Sequence, residues 1–341
     1  MPRVLQRGGR GARALNEDRV VAALAELLAS DAGSRVIVGI GDDAAAWQPS
    51  RSHLSVVTTD ALIEGVHFLR DMPLDAIGYR ALAANLSDIA AKGARPVLAT
   101  IALGAPPDFR ETEILEVYRG IDRLARETKT EIAGGDLSAA PVLMLSITVV
   151  GEVRKTRFHP RRGALPGDVV AVSGALGASR AGLLLRESPN ALDQALGEEA
   201  LRAHHYPVPR LREGAWLAAS ANVHAMMDLS DGLSTDLQRM AAASACQAVV
   251  ECIPVSASGA AMAAHAGRAP QRFAADGGED FELLVAIAPR AFRHLAGRYE
   301  RRFGSTLHRV GYFRSGDGVV LIEGGREEPL PAGGWDHFSK R

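Results

Sequence analysis

Two cysteines in 341 residues, Cys246 and Cys252, are too few to staple a chain of this length. A disulfide scaffold is excluded, and a reducing cytoplasm is the expected compartment. Long apolar runs are missing as well. None reaches the roughly 18 residues of a membrane-spanning helix, and the opening MPRVLQRGGRGAR has arginines without an apolar core, so neither membrane nor targeting signal is expected. Excess charge of one sign is also absent: 39 Lys and Arg face 40 Asp and Glu, which gives no global field to attract nucleic acid or an anionic membrane. Any anionic ligand has to be handled locally. Finally, the chain lacks the G-x-x-x-x-G-K-[ST] loop, the H-R-D and D-F-G triplets, and any His or Cys cluster at ligand spacing. P-loop and protein-kinase machinery are excluded, and zinc or copper is disfavoured.

What is present is enough chain for two cores, since single cores rarely grow beyond roughly 250 residues. Helical spacing covers residues 15–30, behind a basic tail at 1–14. Strands are expected at 36–40, 54–59, 97–103 and 143–150, with helices at 74–92 and 111–128. The segment RRGALPGD, 161–168, reads as linker and turn. The pattern then restarts with a strand at 169–173, helices at 178–186 and 210–221, strands at 249–253, 283–287 and 319–322, and a helix at 289–303. Two α/β-type halves joined near residue 160 follow, with boundaries at 15–155 and 165–341.

Carboxylates recur at expected strand ends. In VGIGDDAAAW, 38–47, an apolar strand runs into Asp42 and Asp43; such a pair implies a cation or several donors nearby. VVTTDALIEGVHF places Asp60 behind Thr58 and Thr59, EIAGGDLS places Asp136 behind two glycines, and MMDLSDGLSTD sets Asp228 and Asp231 around Ser230. Any one of these could be a turn or helix cap. The helix at 74–92 argues for more. Leu82, Leu86 and Ile89 share one side, and Ile77, Ala81, Ala84 and Asp88 the other, flanked by Asn85 and Lys92, so the helix is expected to be buried with Asp88 among alanines. A buried carboxylate there needs either Lys92, one turn on, or a metal. Oxygen-only ligands favour Mg²⁺, which in turn favours phosphates, and several ions would let an acidic cleft accept a polyphosphate. The run SGALGASRAG could cradle phosphate or simply pack tightly.

Taken in order, GIGDDAA, TTDALIEGVHF, NLSDIAAKGARP, GGD, PGD, DLSDGLSTDL and GGEDFELL resemble the thiamine-monophosphate kinase family, within the aminoimidazole-ribonucleotide-synthetase-like ATP enzymes. The resemblance spans nearly the whole chain. It implies an α/β to α+β fold of two domains: an N-terminal mixed α/β domain that binds metal and ATP and carries a dimer-forming sheet, and a C-terminal α/β domain that completes the active site. It implies ATP- and Mg²⁺-dependent phosphorylation of thiamine monophosphate to thiamine diphosphate, by direct transfer, in a homodimer. Asp43, Thr58, Thr59, Asp60, Asp88, Asp136, Asp228 and Asp231 would bind Mg²⁺, with Asp60, Asp88 and Asp231 closest to the chemistry. Gly135, Asp136, Ser230 and one of the pair Arg161–Arg162, taken as Arg161, would meet ATP. His67, Glu279 and Trp335 would meet the thiamine phosphate. Read on their own, these three could instead be a strand-end histidine, a helix N-terminal acid and a cover over a core. The Arg/Gly tail has no counterpart in the family pattern.

Two other readings compete. A sister enzyme activating an amide, a carbamoyl group or selenide with ATP would want, for selenide, an N-terminal Cys or selenocysteine and, for carbamoyl transfer, a C-terminal Cys; neither is found. A noncatalytic nucleotide-binding module would need no second polar pocket, against which His67, Glu279 and Trp335 argue.

Overall fold

The computed structural model describes residues 36–38, 42–47 and 50–335. The expected helix at 15–30 and the basic tail at 1–14 lie outside the described residues.

The first sheet has six strands in the order β1-β2-β3-β6-β4-β5: β1 (Val36–Val38), β2 (Ala45–Trp47), β3 (His53–Ile63), β4 (Arg95–Ala105), β5 (Glu131–Ala139) and β6 (Met144–Arg154). All neighbours run antiparallel except β4 and β5. Alternation decides its faces. Leu54, Val56, Thr58 and Leu62 of β3, with Leu145, Ile147 and Val149 of β6, turn inward under two helices, α1 (Leu74–Ala91) and α2 (Glu111–Thr128). Thr59, Ala61, Thr100 and Ala102 sit on the opposite, exposed face. The amphipathic α2 buries Val117, Ile121 and Leu124 and shows its charges to solvent.

As expected, α1 is buried on nearly every side, and the two cores explain why. Ile77, Leu82, Leu86 and Ile89 pack under the first sheet, while Ala90 and Ala91 pack with Val169, Ala171, Met226 and Leu283 under the second. It meets α2 backbone to backbone. A Cβ at Gly78 would lie 1.9 Å from the Val117 carbonyl oxygen, and one at Gly120 would lie 1.8 Å from that of Asp75, so only glycine fits at either place.

The second sheet has seven strands in the order β13-β12-β9-β11-β7-β10-β8: β7 (Val169–Val172), β8 (Val223–Asp228), β9 (Gln247–Val250), β10 (Leu283–Ile287), β11 (His308–Arg314), β12 (Val319–Glu323) and β13 (Arg326–Pro329). Its helices are α3 (Ala178–Leu185), α4 (Gln194–His205), α5 (Leu211–Leu217), α6 (Leu233–Ala243), α7 (Ala257–His265), α8 (Pro270–Ala275) and α9 (Pro289–Phe303). No helix among the described residues is long and apolar enough to cross a membrane.

Two sequence expectations need correction. Asp60 and Asp136 do not end their strands: β3 runs on to Ile63 and β5 to Ala139. The hydroxyls and glycines before each acid resemble turn chemistry, but cross-strand pairing with β6 and β4 overrides it. In addition, α4, α6, α7, α8, β2, β11 and β13 were not foreseen. In α7, ASGAAMAAH, small residues blur the period, and β13 is exposed along its length.

Candidate active site

Three elements meet beside a cleft of about 1170 Å³ that Asp60, Asp88 and Asp228 line. The turn ahead of β2 brings Asp42 and Asp43, α1 brings Asp88, and the end of β8 brings Asp228. One carboxylate oxygen from each of Asp43, Asp88 and Asp228 lies within 4.8 Å of the others. Asp60 stands close enough that its charge acts on both Asp88 and Asp228. Beyond Val57 the pairing of β2 with β3 stops, and Asn85 of α1 accepts the Asp60 N–H at 3.1 Å. That bond seats β3 against the helix that carries Asp88.

The acids divide by what neutralises them. Lys92, fully buried just past α1, sets its Nζ 2.7 Å from Asp42 Oδ1 and 2.5 Å from Asp43 Oδ2, and donates to the Met226 carbonyl at 3.3 Å. It therefore serves the paired acids and not Asp88. The Arg161 guanidinium also pairs with Asp43, while Arg162 is exposed. Burial would push Asp43 up, but Lys92 and Arg161 outweigh it and hold the carboxyl below its ordinary range. The question raised by the adjacent acids is thus answered first by two protein cations. Asp88 is the opposite case: burial, then the charges of Asp228, Asp60 and Asp43, push it well above the ordinary range, only partly offset by the Thr58 hydroxyl donating at 2.5 Å. Burial and Asp43 raise Asp228 to about 7. An all-oxygen donor set with unrelieved like charge is what a hard divalent cation fits.

The other end of the cleft is built from loops. His67 accepts the Ile63 N–H at Nδ1, 3.0 Å away, which leaves the ring proton of the neutral form on Nε2. Its ring centroid lies 6.4 Å from that of Trp335. The Trp335 N–H donates to the Asp231 carbonyl at 3.1 Å, and a Cβ on Gly334 would sit 1.8 Å from that same oxygen, so the glycine is what lets the tryptophan close in. Asp231 pairs through its carboxylate with Arg239. Ser230 accepts the Glu279 N–H at 2.7 Å, and Glu279 adopts a left-handed φ of 62°, a strained state for a side-chain-bearing residue. Val66, Leu69, Leu183 and Leu201 give this end an exposed apolar wall.

The structure therefore brings Asp43, Thr58, Asp60, Asp88, Asp228 and Arg161 to one place, with Ser230, Asp231, His67, Glu279 and Trp335 along the same cleft. Others are kept apart. Thr59 borders the cleft but accepts from Thr148 at 3.0 Å across the exposed face. Gly135 shares a rung with Asp60 through Ile147 and Ile101, three strand spacings or about 14 Å away, and Asp136 beside it is exposed, bonded by Ser138 at 2.7 Å. Sequence reasoning missed the fully buried Asp236, which accepts the Asp231 N–H at 3.0 Å, although it lies inside DLSDGLSTDL. It also missed Arg80, which pairs with Glu279. Ser179 Oγ also lies 3.3 Å from His204 Nδ1. Burial and the Arg80 charge drive His204 down to about 2, so it is too weak a base to activate a hydroxyl.

Comparison with known proteins now places this geometry. Residues 41–153 match the AIR synthase related protein, N-terminal domain, family and residues 166–328 the corresponding C-terminal domain family. A thiamine-monophosphate kinase of Synechococcus elongatus is 35% identical over 309 residues, covering 88% of this chain and 91% of the relative. That of Rhodopirellula baltica is 40% identical over 267 residues, 75% of this chain and 77% of its own. The solved structure of AaThiL complexed with AMPPCP and TMP superposes with a TM-score of 0.81 at 30% identity, over 95% of this chain and 97% of that one. With both halves matched in order and relatives of this identity spanning most of its length, the chain belongs to the thiamine-monophosphate kinase family of AIR synthase related proteins.

Proposed function

We propose that this protein transfers the γ-phosphoryl group of ATP directly to the phosphate of thiamine monophosphate, giving thiamine diphosphate. The observation that carries this reading is the carboxylate cluster of Asp43, Asp88 and Asp228, assembled from both sheets, whose members Asp88 and Asp228 line one cleft together with His67, Glu279 and Trp335. Asp43, Asp60, Asp88 and Asp228, with oxygens of Thr58 and Asp231, would hold Mg²⁺; bound there, the ions neutralise the phosphate oxygens that would otherwise be repelled. Lys92 and Arg161 keep Asp43 ionised and in place. His67 offers Nε2–H to an anionic oxygen. Trp335 offers an indole face to a cationic ring beside the apolar wall. The acceptor is already an anionic phosphate oxygen, so no base has to deprotonate it. With His204 unable to activate Ser179, the transfer runs in line without a covalent intermediate.

Gly135 and Asp136 stand apart from this cluster, and we assign them to the nucleotide. The exposed face of the first sheet and the outer strand β5, where Leu137 is 64% exposed, support a homodimer formed there. The family boundaries support a division into 15–155 and 165–341. Two unpaired cysteines, one of them exposed, support a cytoplasmic location.

Incubating the purified protein with ATP, Mg²⁺ and thiamine monophosphate tests the reading. The expected outcome is thiamine diphosphate and ADP in equal amounts, lost on chelation, with inversion at phosphorus in chirally labelled ATP. No product, or net retention, would overturn it.

A further inference from the structure

Beneath the organic end of the cleft lies a buried cation that the functional reading leaves unused. Arg80, on the second turn of α1, has a side chain only 3% exposed. One of its nitrogens pairs with Glu279 Oε1; the other donates to the His204 carbonyl at 3.0 Å and lies 3.0 Å from the His204 ring. A single guanidinium thus joins α1, the end of α4 and the loop between α8 and β10. Glu279 needs such an anchor. Its own φ is left-handed, as is that of Phe281, φ 50°, and backbone bonds to Ser230 and Leu229 hold both in place. The carboxylate is a third exposed and lines the cleft, while Oε2 remains 3.7 Å from the His204 ring.

We infer that Arg80 is a positioning residue for substrate recognition: by binding Oε1 it holds the Glu279 carboxylate in one orientation at the cleft, where it accepts from an N–H group on the organic part of the substrate. This rests on the reading of Glu279 as a substrate contact. His204 supports it from behind: its carbonyl accepts from Arg80, and burial keeps its ring neutral, so no competing positive charge is added. The alternative is a plain staple between α1 and α4, which would affect every property of the enzyme alike.

Calorimetric binding of thiamine monophosphate and steady-state kinetics separate the two. Arg80→Met should raise both Kd and KM for thiamine monophosphate about tenfold and leave KM for ATP within about twofold, while Arg80→Lys, which keeps the charge but not the two-nitrogen fork, should recover only part of the loss. Combined with Glu279→Gln, Arg80→Met should add nothing further, since both changes remove the same contact. Additive losses, or an ATP KM that rises in step, would overturn the inference. An Arg80→Met protein that does not fold passes the same criteria to Arg80→Gln. If the wild type binds no thiamine monophosphate, it is the functional reading that fails; if the wild type binds and Arg80→Met binds equally well, it is this inference alone.

Discussion

Asp43 and Asp88 sit in one cluster, equally removed from water, and titrate in opposite directions. The first is held low by Lys92 and Arg161; the second is raised by burial and by the acids around it. Residue type and burial are the same, so the difference comes from where the fixed cations lie. One half of the site is neutralised by the protein during folding, and the other is left with unrelieved charge, at a cost in stability, for the ligand to satisfy.

The strongest way to break this contrast is Lys92→Met. Removing the only lysine of a buried ion pair should cost about 3–5 kcal/mol, read as a fall in the urea midpoint. A loss within about 1 kcal/mol, the scale of a surface pair, would mean that Asp42 and Asp43 are not balanced as described. The reverse change, Asp88→Asn or Asp60→Asn, should lower turnover more than a hundredfold, about 2.7 kcal/mol, without lowering the melting temperature of the ligand-free protein. A folded Asp88→Asn enzyme with near wild-type turnover would remove the metal-site reading.

Asp280 extends the comparison to a buried acid outside the cluster. Burial raises it to about 8, although the Gly177 N–H donates to its two oxygens at 2.9 and 3.0 Å. Because the folded value is above the unfolded one, the folded state holds the proton longer. This contribution is therefore favourable below about pH 4 and is lost as pH rises through about 8. Urea unfolding at intervals from pH 5 to 8 should show a shallower decline for Asp280→Asn than for the wild type; parallel curves would contradict the assignment. The smallest effect belongs to the other end of the cleft. Trp335→Ala should raise KM for thiamine monophosphate by two- to thirtyfold, from a cation–π contribution of about 0.5–2 kcal/mol, and leave KM for ATP little changed. Equal loss for both substrates, with a lowered melting temperature, would make Trp335 a core cover instead.

How much of this was legible in the sequence depended on range. The helix expected at 289–303 matches α9 residue for residue, because its apolar spacing, its proline at the first turn and the glycine after it are all local. The buried character of α1 and the gathering of Asp43, Asp60, Asp88 and Asp228 also followed from pattern and motif. The partner of each acid did not. Lys92 was set against Asp88 by helical spacing, yet Asp42 and Asp43, about fifty positions away, take it. Arg80 drew no attention in the sequence, since its partners on α4 and the Glu279 loop come to it only in the fold. Asp136 carried a motif but no information about its three-strand separation from Asp60. Long-range pairing of charges is set by tertiary contacts, and local spacing does not encode it.

The glycine crossing of α1 and α2 acts as a register lock. A helix advances 1.5 Å and turns 100° per residue, so a slip of one position would swing Asp88 out of the cluster and Arg80 away from Glu279 in a single movement. Side chains interdigitating at ordinary distance tolerate small slides. Two backbones in contact at Gly78 and Gly120 do not, because every neighbouring register would drive a Cβ into a carbonyl oxygen. The spacing between the phosphate end and the organic end of the cleft is thereby gauged, on its α1 side, by two residues that touch neither.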